Sequence, residues 1–154
     1  MPRRSAGILL YRRLIDPFEV LLVHPGGPFW AKKDAGAWSI PKGEYGAGEE
    51  ALAVARREFE EETGARLAGV FKPLGDIRQS SKVVTAWASE GDFDVAALKS
   101  NPFELEWPPR SGRMRSFPEV DRAQWFEPAA AKRAIVRGQS AFIDRLAAVL
   151  NAAE

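Results

Sequence analysis

Apolar residues are concentrated in two runs near the start of the chain, SAGILLYRR at 5–13 and FEVLLVH at 18–24. An Ile-Asp-Pro step separates the runs, and this arrangement predicts two strands joined by a turn. A short strand, ended by Pro41, is predicted for AWSI at 37–40. Three further segments are predicted as strands: 67–75, 82–89 and 122–126.

Three segments show no regular alternation of apolar and polar residues and are predicted as loops: 24–36, 41–48 and 99–118. The first two are interrupted by glycine and proline, which are the strongest local signals for turns. The third contains four prolines and is unusually long. Because long loops in compact domains are often functional, segment 99–118 is a candidate part of a binding site.

A helical period is clearest at 49–63, where Leu52, Ala55 and Phe59 recur at i, i+3 and i+7 and therefore share one face. Gly64 follows at the position where helices commonly end in a left-handed glycine. The pattern predicts an amphipathic helix whose apolar face packs on the core.

Two shorter helices are predicted near the end of the chain, at 127–138 and 140–150. The first has a proline in its first turn and a glycine at its end, and the second carries an apolar stripe. Strands precede, separate and follow the helices, and neither a repeat nor a linker interrupts them. The order predicts one mixed α/β sandwich domain over residues 1–154.

Composition narrows the chemistry that is available. The chain has no cysteine and a single histidine, His24, so disulfides, thiolate zinc sites and multi-histidine sites are excluded. A bound metal would need oxygen ligands, which indicates a hard cation such as Mg²⁺, Mn²⁺ or Ca²⁺. The net charge of +1 gives no bulk attraction to nucleic acid or membrane. No apolar run has the length of a membrane span or a signal peptide, so a cytoplasmic protein is expected.

Negative charge is densest in REFEEETG, residues 57–64. Glu58, Glu61 and Glu62 are spaced to share one helix face, whereas Glu60 points elsewhere. Mutual repulsion and the helix dipole both disfavour this arrangement. Two interpretations follow: a solvated face offset by arginines four residues earlier, or a hard-metal site in which a cation removes the repulsion.

The segment 43–65, GEYGAGEEALAVARREFEEETGA, resembles the signature box of the Nudix hydrolase family. That pattern is Gly, five residues, Glu, seven residues, Arg-Glu, a bulky apolar residue, any residue, Glu-Glu, any residue, Gly and an apolar residue. At the last position Ala65 is smaller than usual. The matching residues are Gly43, Glu49, Arg57, Glu58, Phe59, Glu61, Glu62, Gly64 and Ala65.

The resemblance implies a fold and an activity. The fold would be a Nudix-like α/β/α sandwich with a mixed central sheet. The activity would be hydrolysis of a nucleoside diphosphate linked to another group, with Mg²⁺ or Mn²⁺ as cofactor. By the same resemblance, the metal ligands would be the Gly43 carbonyl, Glu58, Glu61 and Glu62.

Catalytic roles follow from the same correspondence. One of the three glutamates, or a carboxylate on a later loop, would take a proton from the attacking water. Glu58 is the first choice as base because Arg57 precedes it and is expected to fix its orientation. Glu61 is expected to act beside it, and Glu49 to support Arg57 at the start of the helix.

Four residues outside the acidic run are candidates for substrate binding: Lys42, His24, Trp30 and Glu106. Lys42 precedes the box and is placed to contact a phosphate, with an ordinary exposed lysine as the alternative. His24 reaches a ligand from a strand end or is a structural histidine. Trp30, like Trp107, lies in a loop and is a candidate for stacking on a base.

The later acidic residue that many relatives add has two candidates in the long loop, Glu106 and Glu104. A solvated loop carboxylate is the alternative for each. Arginines at 110, 113 and 115 make the same loop basic, which suits an extended polyphosphate or a plain charged surface.

No single substrate is selected by the sequence. Residues that mark two subtypes of the family are absent, since Ser81 stands at the tyrosine position of diadenosine polyphosphate hydrolases and Gln79 and Ser80 at the proline position of ADP-ribose hydrolases. The small size, the WSIPKGE run and the basic loop favour diadenosine polyphosphate or nucleoside triphosphate. ADP-ribose, an RNA 5′ end and a catalytically silent nucleotide-binding regulatory module stay open. Because every glutamate of the box is present, hydrolysis is the expected activity.

Overall fold

A computed structural model of the chain describes residues 3–152, which contain a six-stranded mixed sheet, a separate two-stranded hairpin and three α-helices. The strands are β1 (Arg3–Arg12), β2 (Glu19–Pro25), β3 (Lys42–Tyr45), β4 (Phe71–Gln79), β5 (Lys82–Glu90), β6 (Pro102–Glu106), β7 (Met114–Pro118) and β8 (Val120–Phe126). The helices are α1 (Ala51–Thr63), α2 (Pro128–Ala134) and α3 (Ala141–Ala152).

The large sheet has the order β4-β5-β1-β2-β8, and β3 pairs with one end of β1. Strands β1 and β5 run parallel, whereas the other pairs in the sheet are antiparallel. The mixed central sheet expected from the sequence is therefore confirmed. None of the helices among the described residues is long and apolar enough to cross a membrane.

Both faces of the sheet are covered, because successive side chains of a strand point to opposite faces. On β1, Leu9 and Tyr11 belong to the core beneath α2 and α3, while Ile8 and Leu10 belong to the core beneath α1. All four side chains are buried. The result is an α/β/α sandwich, as the resemblance implied.

Helix α1 begins at Ala51, two residues later than predicted, and ends at Thr63 as predicted. Phe59 is fully buried against the sheet, and Leu52 packs on the same core. Gly64 has φ 85°, and its N–H donates to the Glu60 carbonyl at 2.7 Å. The left-handed glycine ends the helix as expected from the sequence.

Two predictions around residue 40 are wrong. Residues 42–45 form strand β3 rather than part of a loop, because their backbone pairs with β1 from Arg4 to Gly7. The segment 37–40 forms only isolated bridges, from Ser39 to Val23 and from Trp38 to Ile135. Pairing partners distant in the chain override the local glycine and proline signals here.

Helix α2 is also shorter than predicted and stops at Ala134. The following backbone is extended, and the Val136 N–H donates to the Trp38 carbonyl at 2.7 Å. The last two residues of the predicted helix, 137 and 138, belong instead to a separate 3-10 turn, Arg137–Gln139.

The strand predicted at 67–75 lies four residues further along, at Phe71–Gln79. The segment 99–118 is not a structureless loop, because it contains the β6–β7 hairpin. Phe103 of this hairpin packs over Gly27, where an added Cβ would meet its ring at 3.0 Å. The prolines lie at the ends of these strands and in the turn between them, so they did not prevent pairing.

Candidate active site

Helix α1 and strand β3 meet where Gly43 faces Glu58. A Cβ built on Gly43 would overlap the Glu58 carboxylate. Glycine at this position therefore lets a carboxylate of the helix lie directly on the backbone of the strand. The close approach brings the Gly43 peptide unit and the Glu58 side chain together, as the predicted ligand set requires.

The Arg57 guanidinium lies among three carboxylates. Its Nη1 is 3.4 Å from Glu49 Oε2, and its Nε is 3.8 Å from Glu58 Oε2 and 3.9 Å from Glu61 Oε1. Glu49 is itself held by the Gly46 N–H, which donates to its Oε1 at 2.9 Å. Contacts of this length at a half-exposed arginine contribute little stability, but they restrict where the two glutamates point. The orienting role of Arg57 fits this arrangement.

Glu62 lies deeper than the other carboxylates of the run. Burial, followed by the nearby charges of Glu58 and Glu119, raises the pKa of Glu62 to about 8. The charge of the Lys42 ammonium, and then the Lys42 N–H that donates to the carboxylate, act in the opposite direction. Burial also lowers the pKa of the Lys42 ammonium, with Lys82 adding to the effect. A partly buried lysine thus adjoins a partly buried glutamate at this end of the site.

The surroundings of Glu58 also disfavour its ionised form. Burial, then a hydrogen bond with Glu61 and the charge of Glu61, raises the pKa of Glu58 to about 7, while Arg57 acts in the opposite direction. Neighbouring carboxylates that must share one region resist losing both protons. A group that titrates near neutral pH is suited to take up a proton during catalysis.

Glu119 is a site residue that the sequence did not identify. Burial and the charge of Glu61 raise its pKa. Its backbone is held on both sides, since its N–H donates to the Asn101 carbonyl and its carbonyl accepts from the Gly26 N–H, each at 2.9 Å. No motif or spacing in the sequence marks Glu119. Its one signal is its position, as an acidic residue directly before strand β8.

Glu106 has a different position. Its carboxylate accepts hydrogen bonds from the N–H groups of Arg110 and Gly112, each at 3.2 Å, and so stabilises the turn between β6 and β7. Glu104 lies on the same hairpin strand and is exposed. Neither Glu104 nor Glu106 lines the cleft beside Glu62, whereas Glu119 does. Glu119 therefore replaces both as the candidate for a carboxylate contributed from beyond the box.

The donor set fits a hard divalent cation. Glu58, Glu61, Glu62 and Glu119 interact electrostatically with one another, and all offer oxygen. Within residues 3–152, no three acidic or imidazole groups are already gathered at the spacing of metal ligands. Repulsion and burial keep protons on two of these carboxylates near neutral pH, and a cation would displace those protons.

A cleft of about 280 Å³ is lined by two of these acidic residues, Glu62 and Glu119. Lys42, Glu62 and Glu119 line one part of it, and Trp30 contributes a side chain that is 39% exposed. The remaining lining combines apolar and amide groups: Val23, Pro25, Ala37, Ser39, Ile40, Gln79, Val120, Val136 and Gln139. The cleft joins the carboxylates to a mostly apolar pocket, which is the usual character of a small-molecule site.

His24 does not face this cleft. It is fully buried, with Nδ1 at 2.8 Å from Asp121 Oδ1 and Nε2 at 2.6 Å from the Lys33 carbonyl oxygen. Both ring nitrogens are occupied inside the protein. The structure therefore matches the structural alternative for His24 rather than ligand binding.

The remaining glutamate of the run, Glu60, is separate from the site. Its carboxylate accepts from Arg66 Nε at 3.1 Å on the surface. The structure thus distinguishes this surface carboxylate from the three that adjoin Gly43, Arg57 and Lys42.

Comparison with known proteins identifies the family and the fold. The family model described as the NUDIX domain matches residues 1–146. No curated protein matches the chain by sequence. Many solved structures share the fold, including a C. elegans Ap4A hydrolase in a binary complex, with 22% identity and a TM-score of 0.65 over 96% of this chain and 98% of that one.

Two further structures give the same result. The NUDIX domain of Shewanella oneidensis NrtR, complexed with ADP ribose, has 14% identity and a TM-score of 0.66 over 97% of this chain and 89% of its own. The MutT protein from Methanosarcina mazei Go1 has 19% identity and a TM-score of 0.57 over 93% of this chain and 91% of its own. At sequence identities of 14% to 22%, the structural similarity establishes the fold.

Proposed function

Because the chain belongs to the Nudix family, we propose that it is a metal-dependent pyrophosphohydrolase that cleaves a nucleoside diphosphate linked to another group. The observation that carries the proposal is the group of interacting carboxylates, Glu58, Glu61, Glu62 and Glu119, of which Glu62 and Glu119 line a cleft that is otherwise mostly apolar. Residues 1–154 would act as a single catalytic domain.

Mg²⁺ or Mn²⁺ would be held by the Gly43 carbonyl and by the carboxylates of Glu58, Glu61 and Glu62. When bound, the cation neutralises the diphosphate and acidifies water. Arg57 holds Glu58 and Glu61 in place through its paired contacts. The Gly43 position requires glycine because a side chain would displace Glu58.

Glu58 is the proposed general base. Its contact with Arg57 restricts its orientation, which a base that must meet the attacking water requires. Glu119 is the alternative base, since it approaches the site from a different element and lines the cleft. Lys42 lines the same part of the cleft and is proposed to contact a phosphate of the substrate.

The favoured substrates are diadenosine polyphosphates or nucleoside triphosphates. The β6–β7 hairpin supports them because Arg110, Arg113 and Arg115 are exposed near its turn. The hairpin is linked to the cleft rim through Trp107, whose ring lies 5.3 Å from the ring of Phe29, the neighbour of Trp30. A long phosphate chain leaving the cleft would meet these arginines.

Activity on a substrate panel tests the proposal. The panel contains nucleoside triphosphates, diadenosine polyphosphates, ADP-ribose and RNA with a 5′ triphosphate, each with Mg²⁺, Mn²⁺ or a chelator. We expect release of phosphate or nucleotide product only with a divalent cation. Binding without turnover on any of these substrates would instead support the nucleotide-binding regulatory module.

A further inference from the structure

The inner lining of the cleft contains a connected group of polar side chains formed by Ser39, Gln79 and Gln139. Gln139 is fully buried in the 3-10 turn at 137–139. Gln79 is the last residue of β4 and is partly exposed. These residues are far apart in the sequence, and only the fold brings them together.

A backbone group determines the orientation of the Gln139 amide. The Ile40 N–H can only donate, and it lies 3.1 Å from Gln139 Oε1. The other end of the amide is therefore the Nε2 group, which donates to Ser39 Oγ at 3.0 Å and to Gln79 Oε1 at 3.1 Å. Each polar atom of the Gln139 amide thus has a partner within the protein.

The orientation of Gln79 follows from that of Gln139. Because Gln79 Oε1 accepts from Gln139, the Gln79 Nε2 group is left with hydrogens that have no partner among residues 3–152. The atom is not sealed in the interior, since among these residues the one buried side-chain polar atom without a hydrogen bond is Ser5 Oγ. The amino group therefore remains available to a molecule in the cleft.

The backbone of the neighbouring turn also holds Gln79 in place. A Cβ added to Gly138 would meet Gln79 Cγ at 3.0 Å and its Cβ at 3.3 Å. Glycine at 138 lets the 3-10 turn pack directly on the stem of Gln79. A side chain fixed at its stem and at one amide atom can discriminate between ligands at small entropic cost.

We propose that the Gln79 amino group reads a hydrogen-bond acceptor of the nucleobase, so that the cleft selects a base with a carbonyl oxygen on its inserted edge. Val23, Ile40 and Val136 supply apolar surface for the faces of the base. Lys42 and Glu62 line the same cleft and lie where the phosphates would follow. A base with an amino group at that edge would place its N–H donors against those of the Gln79 amino group, which disfavours binding.

The inference rests on the proposed function, because it takes the ligand of this cleft to be a nucleotide. Among the proposed substrates, it favours triphosphates of guanosine, inosine or uridine over those of adenosine or cytidine, and over diadenosine polyphosphates. Inosine and adenosine monophosphates are the sharpest probes, since they differ at the six-position, where one has a carbonyl and the other an amino group.

Binding of the two monophosphates is measured by calorimetry in chelator, so that the result does not depend on hydrolysis. For the wild-type protein we expect inosine monophosphate to bind about tenfold more tightly than adenosine monophosphate. Gln79→Glu replaces the free donor with an acceptor of the same shape and should reverse the order. Gln79→Met should bind the two equally. Gln124→Glu makes the same charge change at an exposed position of β8 and should keep the wild-type preference for inosine monophosphate.

Equal binding by the wild-type protein, failure to bind either probe, or an unchanged preference in Gln79→Glu would overturn the proposal. The last result would mean that Gln79 does not determine the preference between the two bases. The substrate panel separates this proposal from the proposed function. Hydrolysis without a base preference removes only the present inference, whereas a base preference without hydrolysis removes only the catalytic proposal.

Discussion

At the scale of single residues, the surroundings of each glutamate decide what it can do. Glu60, which pairs with Arg66 on the surface, is an ordinary exposed charge. Burial and neighbouring carboxylates raise the pKa of Glu62 to about 8 and that of Glu58 to about 7. Glutamates within five consecutive residues therefore have different surroundings and different partners.

The raised pKa values predict how the stability of the metal-free protein depends on pH. A glutamate ionises near pH 4.5 when unfolded, whereas folded Glu62 keeps its proton up to about pH 8. Between these values the unfolded chain releases protons that the folded chain retains, so stability falls as pH rises. We expect the melting temperature in chelator to fall by about 5 °C from pH 5 to pH 8.

Two comparisons check this prediction in the same thermal melts. Glu62→Gln should make the pH dependence shallower, because glutamine cannot ionise. Added Mg²⁺ should raise the melting temperature more at pH 8 than at pH 5, because deprotonated carboxylates bind the cation. A melting temperature that rises over this range would contradict the pKa assignments.

The proposed roles predict that substitutions of different glutamates have different effects on kcat. Glu58→Gln and Glu62→Gln should each lower kcat at least about 100-fold, since one removes the proposed base and the other a proposed metal ligand. Glu60→Gln is the matched control and should keep the wild-type rate. Steady-state kinetics on the best substrate of the panel makes the measurement, and wild-type rates in the first two variants would exclude the assignment.

Glu119 needs its own variant because sequence reasoning did not find it. If it shares the metal or proton-transfer chemistry, Glu119→Gln should lower kcat about 100-fold. The corresponding change at Glu106, whose carboxylate accepts hydrogen bonds from the hairpin turn, should leave kcat close to that of the wild type. A larger fall in kcat for Glu106→Gln than for Glu119→Gln would instead support Glu106 as the carboxylate contributed from beyond the box.

At the scale of elements, the contact between β3 and α1 creates the centre of the site. The strand carries Gly43, the helix carries Glu58, and neither element alone would place a carboxylate against the strand backbone. Segment 41–48 was predicted as a loop because its glycines and proline dominate the local signal. The actual strand depends on pairing with β1, which a local window does not contain.

Substitution of Gly43 tests this contact. Gly43→Ala should displace the Glu58 carboxylate and lower kcat about 100-fold, because small displacements of catalytic groups have large effects. Gly46→Ala is the control, since its nearest contact to an added Cβ is Glu49 Oε1 at 4.0 Å. Both proteins should remain folded by circular dichroism. Full activity in Gly43→Ala would show that the close approach is unnecessary.

The β6–β7 hairpin makes a second prediction at this scale. Among residues 3–152, neither Arg110 nor Arg113 forms an ion pair. If they hold the phosphate chain, the Arg110→Gln/Arg113→Gln double variant should raise KM about tenfold for polyphosphate substrates, with less effect at high salt. Arg133→Gln on α2 is the control. An unchanged KM would identify these arginines as plain surface charge.

At the scale of the whole molecule, the two helical layers carry different residues. The α1 layer carries the box residues, whereas α3 on the other face packs Phe142, Ile143 and Leu146 into a core that includes Leu9 and Tyr11. The acidic residues of the box therefore lie on the α1 side of the sheet, and the α3 core lies on the opposite face. The sheet connects them through β1, whose alternating side chains enter both cores.

This division predicts a variant that loses stability without losing the site. Phe142→Ala should lower the free energy of unfolding by about 3–5 kcal/mol, the usual loss for a buried phenylalanine. At temperatures where the variant is folded, kcat should stay near the wild-type value. Urea denaturation followed by kinetics measures both quantities. A large fall in kcat with the fold intact would show that the α3 core also shapes the site.

The sequence by itself determined the family, the mixed α/β architecture, helix α1 with its glycine cap, and the identity of the acidic run. These features are encoded locally, in periodicity and in residues at set spacings. The tertiary structure alone decided that β3 is a strand, that segment 99–118 is a hairpin, that His24 is internal, and that Glu119 and the Gln79–Gln139 pair line the cleft. Each of these depends on contacts between residues far apart in the chain, and local patterns carry no record of which distant partners will meet.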